Sequence, residues 1–129
     1  MDSEVYTENL LDHYKNPRNY GNLDKANYKS SEANLVCGDV IEFQLKVKDN
    51  IITDVKFKGD GCAISKGCAS MLSEKIKNMS INDVKKMTEK DIFSILKIEI
   101  SEARIKCAML PLIVIKKALD SPKLFITID

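Results

Sequence analysis

The chain has 129 residues, 44% apolar and 30% charged, which is the size and composition of one domain with one core, and a single domain over residues 1–129 is expected. Its 20 Lys and Arg against 19 Asp and Glu are scattered, a balance that excludes the basic stripe nucleic acid would need. No apolar run reaches membrane-spanning length, and Met1-Asp2-Ser3-Glu4 has neither the basic flank of a secretory signal nor the pattern of a transit peptide. A soluble, cytoplasmic protein without membrane contact is therefore expected.

In chain order, Val5, Tyr6, Leu10, Leu11 and Tyr14 recur at helical spacing and Pro17 closes the run, which predicts an amphipathic helix over 3–16. Residues 27–35 carry a weak strand signal in which Ser30-Ser31 argues for irregularity. Ile41, Phe43, Leu45 and Val47 then alternate with polar neighbours, Asp49-Asn50 makes a turn, and Ile51, Thr53, Val55 and Phe57 alternate again. That pattern predicts an antiparallel hairpin over 40–58. After Cys62 the period becomes helical to about Asn78, through Ile64, Cys68, Leu72 and Ile76.

Ser80 and Thr88 each precede an acid by three positions and predict short helices over 81–87 and 89–97. A last helix is expected from Cys107 or Leu110 to Leu119, with Pro111 tolerable only in its first turn. Leu124-Phe125-Ile126-Thr127-Ile128 is β-prone and reads as an edge strand, as a strand pairing with another protomer, or as a loose end. Strands followed by helices predict an α+β fold, a small antiparallel sheet with helices packed on one face.

Cysteine placement is the main chemical signal. Cys37 precedes the first clear strand, Cys62 follows the hairpin at a helix start, and Cys107 lies near the start of the last helix. Without a secretory signal, metal binding or thiol chemistry is favoured over disulfides. If these ends meet at one pole, three thiolates can join Asp39, which shares a strand face with Cys37. Three sulfurs and an oxygen suit tetrahedral Zn²⁺ and also an iron–sulfur cluster with one non-cysteine ligand. The carboxylate is a poor match for cluster iron and points to a site that builds and releases. Cys68 shares a face with Ile64 and Leu72 and reads as core, while His13 reads as a surface or hydrogen-bonding residue outside the ligand set.

The stretches Cys37-Gly38-Asp39, Gly61-Cys62, Arg104-Ile105-Lys106-Cys107 and Asp12-His13-Tyr14-Lys15-Asn16-Pro17-Arg18-Asn19 closely resemble the iron–sulfur cluster assembly scaffold family of IscU, SufU and the NifU N-terminal domain. The resemblance spans nearly the whole chain. It implies a SufE/NifU-like fold and a scaffold, rather than an enzyme, that takes sulfur from a cysteine desulfurase and assembles a labile [2Fe-2S] cluster. The cluster would pass to apo iron–sulfur acceptor proteins, with the protein a monomer or weak homo-oligomer. The implied ligands are Cys37, Asp39, Cys62 and Cys107, and the implied persulfide acceptors are Cys37 and Cys107, unranked.

Lys106 stands where IscU-type members have His, and Cys62-Ala63-Ile64-Ser65 is closer to SufU, whereas the short stretch from Cys62 to Cys107 is like IscU. These SufU-like features favour, as the alternative, a zinc-dependent sulfur acceptor and transfer protein. Ile100-Ser101-Glu102-Ala103-Arg104 lacks the prolines of the IscU chaperone motif, which argues against delivery by that chaperone pair. A purely structural zinc module is the third reading, and Asp39 argues against it.

Overall fold

The computed structural model describes residues 7–35 and 38–120. Their order is α1 (Glu8–Lys15), β1 (Tyr28–Asn34), β2 (Asp39–Lys48), β3 (Ile51–Asp60), α2 (Ala63–Ile76), α3 (Ile81–Lys85), α4 (Glu89–Leu96) and α5 (Glu102–Asp120). The sheet is antiparallel in the order β1-β2-β3, and α2 and α5 pack against it, the α+β arrangement that the change of period implies.

The hairpin forms as its alternation requires. Ile41, Phe43 and Leu45 of β2 and Val55 and Phe57 of β3 are fully buried, and Phe43 pairs with Phe57 in register, their rings stacked 5.6 Å apart. Asp49 and Asn50 turn the chain at φ 53° and 66°, the backbone that a two-residue hairpin loop prefers. β1 is regular where irregularity was expected: Ser30 and Ser31 pair with Phe43 and Glu42, so the neighbouring strand overrides a weak local signal. On the far side of the sheet, β3 is covered by the segment after α1, where Phe57 N–H donates to the Asn19 carbonyl (2.9 Å) and Gly21 N–H to the Phe57 carbonyl (2.9 Å).

Thr7 caps α1 by accepting from Leu10 N–H (3.0 Å), and the part of the expected helix before it lies outside the described residues. Ile64, Cys68, Leu72 and Ile76 of α2 all face the core. Ser80 accepts from Asp83 N–H (3.1 Å), and Asp91 accepts from Thr88 N–H (2.7 Å), which fixes the starts of α3 and α4.

The last helix departs from expectation. α5 begins at Glu102, so Pro111 sits in its interior rather than in a first turn. Proline has no N–H to give to the Cys107 carbonyl one turn back. Burial of Ala108, Leu112, Val114, Ile115 and Ala118 holds the helix through that defect. The expected tail strand over Leu124-Phe125-Ile126-Thr127-Ile128 lies outside the described residues. No helix among the described residues is long and apolar enough to cross a membrane.

Candidate metal centre

Three chain segments meet at one pole of the sheet. Asp39 opens β2 directly after Gly38, whose φ of 75° is a left-handed turn that glycine adopts without strain. Cys62 is the N-cap residue of α2, and Cys107 lies in the second turn of α5. One ligand atom from each of Asp39, Cys62 and Cys107 lies within 4.8 Å of the others. The fold thus brings together three of the four expected ligands, from positions up to 68 apart, the distance from Asp39 to Cys107 along the chain. Cys37, the fourth expected ligand and an expected persulfide acceptor, lies outside the described residues.

The Asp39 side chain is 1% exposed. Its Oδ1 accepts from the Cys62 backbone N–H (3.1 Å), which ties the start of β2 to the start of α2. Its Oδ2 is buried with no hydrogen-bond partner among the described residues. Leaving a buried polar atom unpaired costs about 1–3 kcal/mol, and more when it is charged. A cation would satisfy that oxygen, and the two nearby sulfurs supply soft donors, so the donor set fits Zn²⁺ or cluster iron. The first turn of α2 carries no acid, so its positive dipole end also faces an anionic ligand set.

Gly61 makes this approach feasible: a Cβ there would press on Ser65 Oγ and come within 2.8 Å of Asp39 Oδ1. Ser65 is a contributor that the sequence reading left without a role. It is fully buried, donates to the Cys62 carbonyl (3.3 Å), and accepts from the Cys62 thiol (3.8 Å). Its signal was a hydroxyl three residues after a helix-capping cysteine, where a side chain returns to the cap.

Two other polar residues stay apart from this pole. Cys68 is sealed in the core, where burial pushes its thiol pKa up to about 12, and it donates to the Ala108 carbonyl (3.5 Å). His13 is buried rather than at the surface, bonded through Nδ1 to Ser70 Oγ (2.7 Å). Burial, and then the Arg18 charge, hold its pKa below the ordinary histidine value, against the opposite pull of Glu74 and Asp12. Lys106 points to solvent beside the buried Cys107.

The family described as the NifU-like N-terminal domain matches residues 5–123. The chain belongs to that family. It is 37% identical over 124 residues to a Rickettsia prowazekii protein named iron-sulfur cluster assembly scaffold protein IscU, covering 92% of each chain. It is 38% identical over 119 residues to iron sulfur cluster assembly protein 1 of Trachipleistophora hominis, covering 89% of this chain and 84% of that one.

Among solved structures, a protein from Fervidobacterium islandicum described as a putative iron-sulfur cluster assembly scaffold protein for the SUF system superimposes with a TM-score of 0.80 at 24% identity, over 92% of this chain and 99% of that one. A NifU-like N-terminal protein from Brucella abortus gives 0.76 at 15% identity, over 92% and 94%. These two likenesses establish the fold.

Proposed function

We propose that this chain is an iron–sulfur cluster assembly scaffold acting as a single domain. Its relatives of known name support the reading, and the observation that carries it is the buried, unpaired Asp39 Oδ2 beside Cys62 and Cys107. In this reading Cys37, Asp39, Cys62 and Cys107 hold a transient [2Fe-2S] cluster that is cargo, destined for apo acceptor proteins. A thiolate of Cys37 or Cys107 attacks the outer sulfur of a cysteine desulfurase persulfide. The S–S bond breaks, the outer sulfur stays on this chain, and the desulfurase cysteine leaves as thiolate. Cys107 is 1% exposed, so its turn as acceptor requires the start of α5 to move aside.

Asp39 supplies the weak point of the cage, because carboxylate oxygen is a poorer partner than thiolate for cluster iron. Anaerobic purification with iron, acid-labile sulfide and zinc counted per chain tests the reading. Near-stoichiometric iron and sulfide with charge-transfer absorption are expected, and Asp39→Cys, which replaces the weak oxygen with a thiolate, is expected to keep the fold and slow cluster release. One zinc per chain and no cluster after reconstitution with desulfurase, cysteine and iron would instead favour zinc-dependent sulfur transfer. The solvent-facing Lys106 beside Cys107, a SufU-like feature, is the observation on the side of that second reading.

A further inference from the structure

Ser65 lies in the first turn of α2, fully buried, with its hydroxyl oxygen 3.8 Å from the Cys62 sulfur. A helical serine commonly bonds a carbonyl one turn back, and Ser65 Oγ does donate to the Cys62 carbonyl. Two observations make that bond dispensable. At 3.3 Å it is longer than the usual O–H···O separation of about 2.7–2.8 Å. The same carbonyl also accepts the regular helix bond from Lys66 N–H at 3.0 Å, so it is served without the hydroxyl. The Cys62 amide is served too, by Asp39 Oδ1 at 3.1 Å. The sulfur is the atom left short of donors, since it makes no capping bond with the amides of α2.

We infer, on the reading of Cys62 as a ligand proposed above, that Ser65 is a positioning residue of the metal centre. Its hydroxyl turns from the Cys62 carbonyl to the Cys62 sulfur when that sulfur becomes a ligand, and it moderates how strongly the sulfur holds its metal. Ligation sends the thiol proton to water and gives a sulfur lone pair to the metal. The S–H···O bond is lost with that proton, and the sulfur thereafter only accepts. Serine has one proton to give, and a charged sulfur is a stronger acceptor than a carbonyl that already has a partner.

The exchange needs only rotation about the Cβ–Oγ bond of Ser65, with no backbone movement. Burial keeps water from competing for either group. Gly61 holds the oxygen at its post, because Ser65 Oγ and Asp39 Oδ1 both pack against the bare Cα there. A sulfur that shares its electron density with a hydroxyl donates less of it to a metal, so Ser65 adds to the weakening that the Asp39 carboxylate brings.

The full chain loaded with Co²⁺ alone tests this, read by the sulfur-to-metal charge-transfer band. Ser65→Ala is expected to keep the fold, because the Cys62 carbonyl retains Lys66 N–H, and to move the band to longer wavelength, because a sulfur without the hydroxyl gives up an electron more readily. Ser65→Thr retains the hydroxyl and is expected to hold the band at its original position, which a role in packing alone would not require. Ser70→Ala removes a buried hydroxyl from the body of the same helix and is expected to leave the band unmoved. Cys62→Ser is expected to lose part of the band's intensity. That loss together with an unmoved band in Ser65→Ala would overturn the role of Ser65 alone. Full intensity in Cys62→Ser would overturn the ligand reading and the role of Ser65 with it.

Discussion

The first turn of α2 and the body of the same helix treat buried polar groups in opposite ways. In the body every such group is matched: Ser70 accepts from Arg18 N–H (2.8 Å) and bonds His13. Ser73 donates to the Ser70 carbonyl (2.7 Å) and accepts from Asn19 (3.0 Å), and Cys68 donates to the Ala108 carbonyl. At the first turn Asp39 Oδ2 is left over, next to two thiols. A satisfied buried network fixes the packing of α1 on α2. An unsatisfied one is a strain that a ligand can relieve, and that difference separates scaffolding from site within one helix.

The sharpest way to break this contrast is thiol chemistry. With a pKa of about 12, Cys68 should be alkylated about a thousandfold more slowly near neutral pH than an ordinary thiol of pKa about 8.5–9, because so little thiolate is present. Mass spectrometry of peptides from iodoacetamide-treated protein should find Cys62 labelled and Cys68 intact; comparable labelling would mean that the body of α2 is not sealed.

Next in size, if Cys62 is one of four ligands sharing about 10–16 kcal/mol, Cys62→Ser should weaken zinc binding about a hundredfold to a thousandfold, since one thiolate accounts for roughly a quarter of it. Competition with a chelating indicator reads this. Unchanged affinity would remove Cys62 from the site.

Ser70→Ala reverses the target. It strands His13 Nδ1 and the Arg18 N–H, and should cost about 1–3 kcal/mol of stability in urea unfolding while zinc affinity stays the same. A loss of zinc affinity instead would join the two parts of the helix functionally.

The smallest effect is pH dependence. Because His13 has a lowered pKa when folded, the folded state resists its protonation. Its contribution is whole above the ordinary histidine value of about 6.5 and fades as pH falls below it through the lowered pKa. Urea midpoints should therefore drop from about pH 7.5 to about pH 5.5, and drop less in His13→Asn, whose amide can still meet Ser70. Equal drops would assign the pH dependence to other groups.

The hairpin was legible because Ile41 to Phe57 obey a period that only a half-buried strand satisfies. Cys62 and Cys107 were legible as candidates because thiols at element ends have few structural uses, and Asp39 because it lies two residues after Cys37. The partnership of His13 with Ser70 was not, since it joins residues 57 apart and depends on how α1 lies on α2. The start of α5 was hidden for another reason: Pro111 gives a strong local signal for an end, and tertiary burial on both sides overrules it.

That proline also divides α5 mechanically. Behind it, Leu112, Val114, Ile115, Ala118 and Leu119 are wedged into the core; ahead of it, residues 102–106 are mostly solvent-facing and linked to the rest through a weakened rung of the backbone ladder. Fraying from Glu102 therefore reaches only the exposed first turn before it meets Cys107 and Ala108, 1% and 0% exposed, whose burial holds the segment ahead of Pro111 to the core. A metal held by Cys107 would pin that segment further.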